Sequence, residues 1–209
     1  MARKWTREHE RKRQRILEML HQDAKPFDDM SDAARERRRT LPFPAWCRTY
    51  LGHYFRTDFA PFHLRLMETL NEPGLPTFVD IFRGAGKSCI DSLADPLYRT
   101  LQHMRKYFLY GAIVQGLAVD LMDFVRIELE NNSRIRADYG DIRVDGSEQE
   151  FVVETPGRRQ TVKFEAFGIG MSPRGRRHGP DRPDAFVGDD LEDAMLARSQ
   201  RREQQLWDW

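Results

Sequence analysis

The chain has 209 residues, is 40% hydrophobic and carries 34 Lys or Arg against 33 Asp or Glu, for a net charge of +1. That length supports one α/β core, or a core plus an appendage, and the even balance excludes a whole-molecule field drawing the chain onto nucleic acid. Two cysteines are too few for a disulfide framework, no apolar run approaches the roughly 18 residues of a membrane span, and the basic N-terminus lacks a signal peptide's apolar segment, so a soluble intracellular protein without membrane contacts is expected.

The charge is unevenly placed. Residues 1–50 hold 13 Lys or Arg against 8 Asp or Glu, so any contact with a polyanion is local. Residues 2–22 read as a poorly amphipathic helix in which Arg3, Lys4, Arg7, Arg11, Lys12, Arg13 and Arg15 dominate and apolar residues gather at the end (Ile16, Leu17, Met19, Leu20). A solvated helix or partly flexible tail is the preferred reading, ahead of an arm that touches DNA or a partner. A polar link follows, then the basic cluster Arg35 to Arg39, then Leu41-Pro42-Phe43-Pro44, where the prolines end any helix. Residues 1–40 are thus set apart as a basic helical arm and residues 41–209 as the folded domain.

From Ala45 to Leu70 aromatics are dense (Trp46, Tyr50, Tyr54, Phe55, Phe59, Phe62), as expected of a small helical subdomain packed on a sheet. Residues 77–82 then form an apolar run that breaks into Arg83-Gly84-Ala85-Gly86-Lys87-Ser88, with Cys89-Ile90-Asp91-Ser92-Leu93-Ala94 reading as a helix. Strand, glycine turn and helix N-terminus make an anion site, because unpaired N–H groups and the positive end of the helix dipole converge. The residue types suit a nucleoside triphosphate: Gly84 and Gly86 let the backbone curl round a phosphate, Lys87 would bridge the β- and γ-phosphates, and Ser88 would be a ligand of Mg²⁺. The strict form G-x-x-x-x-G-K-[ST] asks for glycine where Ile81 stands. The bland alternative is an ordinary strand-to-helix turn.

Lys106 to Ala112 reads as a second buried strand. Ala118, Leu121, Met122, Val125 and Leu129 recur at helical spacing, and the helix ends near Asn131-Asn132. Residues 150–166 change to a period of two: Val162, Phe164 and Ala166 face one way, Thr161, Lys163 and Glu165 the other, and Pro156-Gly157 turns the chain back to Phe151-Val152-Val153. The expected fold is α/β, a P-loop NTPase with a mainly parallel sheet flanked by helices, an antiparallel hairpin edge and an N-terminal helical extension.

Residues 172–183 are loop, rich in Gly, Pro and Arg. Asp184 to Gly188 then reads as a short buried strand running into Asp189-Asp190-Leu191-Glu192-Asp193. Four like charges in five residues repel unless cations sit among them, as at a Mg²⁺-nucleotide site. In that arrangement Asp189 would hold Mg²⁺ through its water shell and Asp190 would orient the attacking water, with Glu192 the alternative carboxylate; Glu192 or Asp193 can equally be a helix cap.

Phe82-Arg83-Gly84-Ala85-Gly86-Lys87-Ser88, then Arg174-Gly175-x-Arg177, Arg182-Pro183-Asp184 and Gly188-Asp189-Asp190-Leu191-Glu192-Asp193, resemble the ATPase domain of the large terminase subunit of tailed bacteriophages, over roughly residues 40–209. That family tolerates loss of the first glycine and carries an arginine in the loop, the place of Ile81 and Arg83 here. The resemblance implies ATP hydrolysis that drives double-stranded DNA into a procapsid, by a homo-oligomeric ring at the portal protein working with a small terminase subunit, in the cytoplasm of a bacterial host carrying a phage or prophage. ATP and Mg²⁺ would be the cofactors. Lys87 and Ser88 would take the Walker A roles, Asp189 the metal role and Asp190 that of the catalytic carboxylate. Arg83 would serve in the phosphate loop, and Arg174 would match an arginine reaching a neighbour's site, with Arg176, Arg177 or Arg182 as stand-ins. Phe62 and His63 stand where such motors hold the adenine, although a packed or surface histidine is an equal reading. The sequence reaches Trp209 without the family's later coupling motif or nuclease domain, so a truncated or separately encoded motor is expected, without nuclease activity. The alternatives are a nucleotide-binding assembly fragment that does not turn over, or another P-loop enzyme.

Overall fold

The computed structural model describes residues 7–72, 77, 79, 81, 82, 84–157, 161–171, 175–189 and 191. In chain order the elements are α1 (Arg7–Asp23), α2 (Asp32–Arg39), α3 (Phe43–Tyr50), α4 (Pro61–Asn71), a π-helical turn (Cys89–Ala94) running into α5 (Asp95–Leu101), β1 (Tyr107–Ala112), α6 (Gln115–Asn131), α7 (Ser133–Tyr139), β2 (Arg143–Gly146), β3 (Glu150–Glu154), β4 (Val162–Gly168) and β5 (Ala185–Gly188).

The strands form one sheet in the order β2-β3-β4-β1-β5. β1 runs parallel to β4 and β5, while β2–β3 and β3–β4 are antiparallel. The class is α/β as expected, but the sheet is mixed rather than mainly parallel, and its antiparallel edge is β2 rather than the hairpin. β1 is the spine, with all six residues buried. Phe108, Tyr110 and Ala112 share one core cluster with Val162, Phe164 and Ala166 of β4 and with apolar residues of α3, α5 and α6. The Phe164 ring stacks between Phe108 and Phe151, each centroid 4.9 Å away, so three adjacent strands are locked in register by one column of rings. Lys163 and Glu165 lie on the opposite face, as the period of two requires, where Glu165 accepts hydrogen bonds from Tyr107 and Arg176.

β5 is an edge strand and not the buried one expected from its composition: Phe186 is 54% exposed, because β1 is its one described neighbour. Its ends are nevertheless fixed. The Asp184 carboxylate accepts the Lys106 and Tyr107 N–H groups at 3.1 and 2.8 Å, and the Asp189 N–H donates to the Gly111 carbonyl at 3.2 Å.

The run before the glycine turn also departs from expectation. Thr77, Val79, Ile81 and Phe82 carry no strand, and Phe78 and Asp80 fall outside the described residues. A strand needs a ladder, and none of these four described residues takes part in one. Val79 and Ile81 instead contribute side chains to the main core.

The helix after the turn is present but widened. Pro96 has no N–H to give to the Ser92 carbonyl one turn back, and Tyr110 supplies that donor through its hydroxyl at 2.9 Å. The Asp95 N–H bonds the Ile90 carbonyl five residues back, so the chain absorbs the proline as a π turn.

The basic arm is held, over its described residues, more firmly than a solvated tail would be. Arg13 and the buried His9 both bond the Asp123 carboxylate on α6, at 2.6 and 3.0 Å, while Ile16, Leu20 and Ala24 pack with Ile127. In the second cluster Arg38 makes a two-pronged bond to buried Asp138, both arms 2.7 Å, and Arg39 pairs with Glu36. Among the described residues no helix is long and apolar enough to cross a membrane.

Candidate nucleotide site

Gly84 and Gly86 have φ of 86° and 75°, a region that side-chain-bearing residues avoid, so glycine is needed here for its backbone freedom. Among the described residues nothing lies within 4 Å of where a Cβ would stand on either. The loop closes on itself through Ala85 N–H to Phe82 carbonyl (3.2 Å) and Cys89 N–H to Gly86 carbonyl (3.1 Å).

α4 steadies this loop from outside. The Ala60 N–H donates to His63 Nδ1 at 3.1 Å, which leaves the ring proton on Nε2, and Nε2–H donates to the Ala85 carbonyl at 2.7 Å. Phe62 lies 4.0 Å from the His63 ring and 5.5 Å, edge to face, from Phe82, which is 67% exposed. Phe62, His63 and the glycine loop, 22 residues apart in sequence between His63 and Ala85, are therefore brought together.

Lys87 and Ser88 begin the helix and both reach Asp189 at the C-terminal end of β5. Lys87 Nζ lies 3.2 Å from Asp189 Oδ1, and the Ser88 hydroxyl donates to Oδ2 at 2.6 Å. Ammonium, hydroxyl and carboxylate thus converge from positions 101 residues apart. The oxygens of Ser88 and Asp189 are hard donors of the kind Mg²⁺ prefers. Among the described residues no group of three or more His, Cys, Asp or Glu could cage a metal.

Asp91 belongs to the same neighbourhood, although the sequence reading gave it no role. Burial pushes its carboxyl up to about 6; the Ser92 hydroxyl bond opposes this, the Asp189 charge adds to it and the Lys87 charge lowers it. The signal was available: Asp91 stands three residues after Ser88, on the same face of the helix.

Several expected site residues, Arg83, Arg174, Asp190 and Glu192, lie outside the described residues. Of the stand-in arginines, Arg176 is engaged by Glu165 and sits 5.5 Å over the Phe167 ring, whereas Arg177 and Arg182 are exposed. Arg176 is therefore a brace of the loop across the sheet. A scan against protein-family models and searches of curated proteins and of solved structures returned no match.

Proposed function

We propose that this chain is a Mg²⁺-dependent ATPase of the P-loop kind, the motor module of a terminase large subunit that drives double-stranded viral DNA into a procapsid. The observation that carries the reading is the convergence of Lys87 and Ser88 on Asp189, with the positive-φ glycines beside them. An ordinary strand-to-helix turn requires neither a lysine and serine at the helix start nor a carboxylate from a strand a hundred residues later.

In this reading the loop N–H groups and Lys87 bind the phosphates, and the ammonium stabilises charge that grows on the γ-phosphate during transfer to water. Ser88 and Asp189 would hold Mg²⁺, which when bound neutralises charge on the phosphate oxygens. Phe62 and Phe82 offer ring faces to a nucleobase beside the loop. Asp190 would orient the water, with Glu192 as the alternative, and Arg83 and Arg174 would add positive charge. The working assembly would be a homo-oligomeric ring with a portal protein and a small terminase subunit, inside a phage- or prophage-bearing bacterium. DNA would be gripped through its phosphates, without base preference.

The test is phosphate release by the purified chain over a range of protein concentrations, with and without double-stranded DNA. Release per subunit that rises with concentration and with DNA is expected of an arginine acting between subunits. Stoichiometric ATP binding without release would instead assign a nucleotide-binding assembly unit. Neither binding nor release would remove the nucleotide reading altogether.

A further inference from the structure

α1 is fastened to α6 and stands off from the helix that follows the glycine loop. On α6, His9 and Arg13 bond the Asp123 carboxylate, and Ile16, Leu20 and Ala24 pack with Ile127 in a small cluster separate from the main core. Between α1 and the helix after the loop lies a half-open groove of about 300 Å³. Met19 lines it from α1, Ser88, Cys89 and Leu93 line it from that helix, and the exposed Arg15 lines it too. Arg15 has no ion-pair partner among the described residues. A gap of this size is large for a packing defect and, where apolar, poorly served by water, so closing it is favoured. Closure has one electrostatic opponent: it moves Arg15 towards the positive end of a helix and the Lys87 ammonium. Phosphates bound at the loop reverse the sign of the field that Arg15 meets.

From this the geometry points to a strap that regulates the nucleotide site, an inference that rests on the nucleotide reading above. When nucleotide binds, α1 pivots on Asp123 into the groove, Met19 packs on Cys89 and Leu93, and Arg15 is drawn towards the Ser88 end by the phosphate charge. The groove belongs to the nucleotide site as its outer wall, since Ser88 is common to both. An element outside the glycine loop thereby holds the bound nucleotide, and product release waits on the strap reopening. The small cluster under α1 suits that role, because an element that moves must be held by little.

Disulfide trapping in the full chain tests this. Met19→Cys, a half-buried change, puts a second thiol across the groove from the native Cys89, and a disulfide forms only when the two Cα atoms come within about 7 Å. Cys47, the other thiol, is fully buried. The protein is oxidised with copper phenanthroline, with and without a non-hydrolysable ATP analogue and Mg²⁺, and the cross-linked species is timed, with added Cys89→Ser as the blank. Cross-linking at least about fivefold faster with the analogue is expected. Arg15→Gln, an exposed change that leaves the fold alone, should cut that acceleration at least about threefold. The strap is overturned if the analogue binds by calorimetry yet leaves the rate unchanged or slows it, or if Arg15→Gln keeps the full acceleration. An analogue that does not bind removes the nucleotide reading and the strap with it, and the calorimetry tells the two failures apart.

Discussion

His63→Ala removes the side chain through which α4 hydrogen-bonds the glycine loop. The wild-type ring spans two groups, accepting from Ala60 N–H at 3.1 Å and donating to the Ala85 carbonyl at 2.7 Å. The first bond stabilises the start of α4 and the second sets the loop. The loop-facing bond contributes about 0.5–1.5 kcal/mol net, so its loss converts to nucleotide binding weakened about two- to twelvefold. The assay is calorimetric titration with a non-hydrolysable ATP analogue in Mg²⁺ buffer, alongside a urea melt to show that the fold persists. His63→Gln, whose amide can still donate towards Ala85, should recover part of the loss. Affinity of His63→Ala within about twofold of wild type would refute the idea that this histidine sets the loop.

Two further predictions concern buried charge. Asp138 is fully buried and accepts from Arg38 Nε and Nη2 and from the Tyr50 hydroxyl, all at 2.7 Å, so Arg38→Ala strands a carboxylate and should cost about 3–5 kcal/mol. Urea unfolding checks this, with exposed Arg37→Ala as a control expected within about 0.5 kcal/mol of wild type. Asp91, raised from 3.8 to about 6, binds its proton more tightly folded than unfolded. Stability should therefore fall as pH rises from about 4 to about 6, by on the order of 2–3 kcal/mol from this group. Asp91→Asn, which keeps an acceptor for Ser92, should be more stable than wild type at pH 7 and lose that advantage by pH 4; an advantage independent of pH would contradict the assignment.

The elements that were legible in the sequence are those whose burial is periodic. β1 is a continuous apolar run, α6 carries Ala118, Met122, Val125 and Leu129 at helical spacing, and Val162, Phe164 and Ala166 alternate with Lys163 and Glu165. β2 escaped notice because Arg143-Val144-Asp145-Gly146 is largely exposed and exists through its pairing with β3, not through its own pattern. The apolar run at 77–82 works in the opposite direction: composition favours a strand there, yet pairing is a property of neighbours, and its described residues, Thr77, Val79, Ile81 and Phe82, join no ladder. The docking of α1 was likewise invisible, since His9 and Arg13 meet Asp123 across more than a hundred residues through polar groups that leave no periodic trace. At the candidate site, the glycine spacing predicts the turn that Gly84 and Gly86 make at positive φ, and the acid after the short apolar run predicts Asp189 at the end of β5, because both follow from local chemistry. The π turn was written in Pro96 but required Tyr110 on a separate element to complete it.

The central claim is that Lys87, Ser88 and Asp189 form one Mg²⁺-nucleotide site. Its most direct test is ATP hydrolysis by the purified chain beside Lys87→Ala and Asp189→Asn, with folding of each variant checked by circular dichroism. The account predicts Mg²⁺-dependent phosphate release that falls at least about a hundredfold in both variants. Wild-type release from folded Lys87→Ala would contradict it.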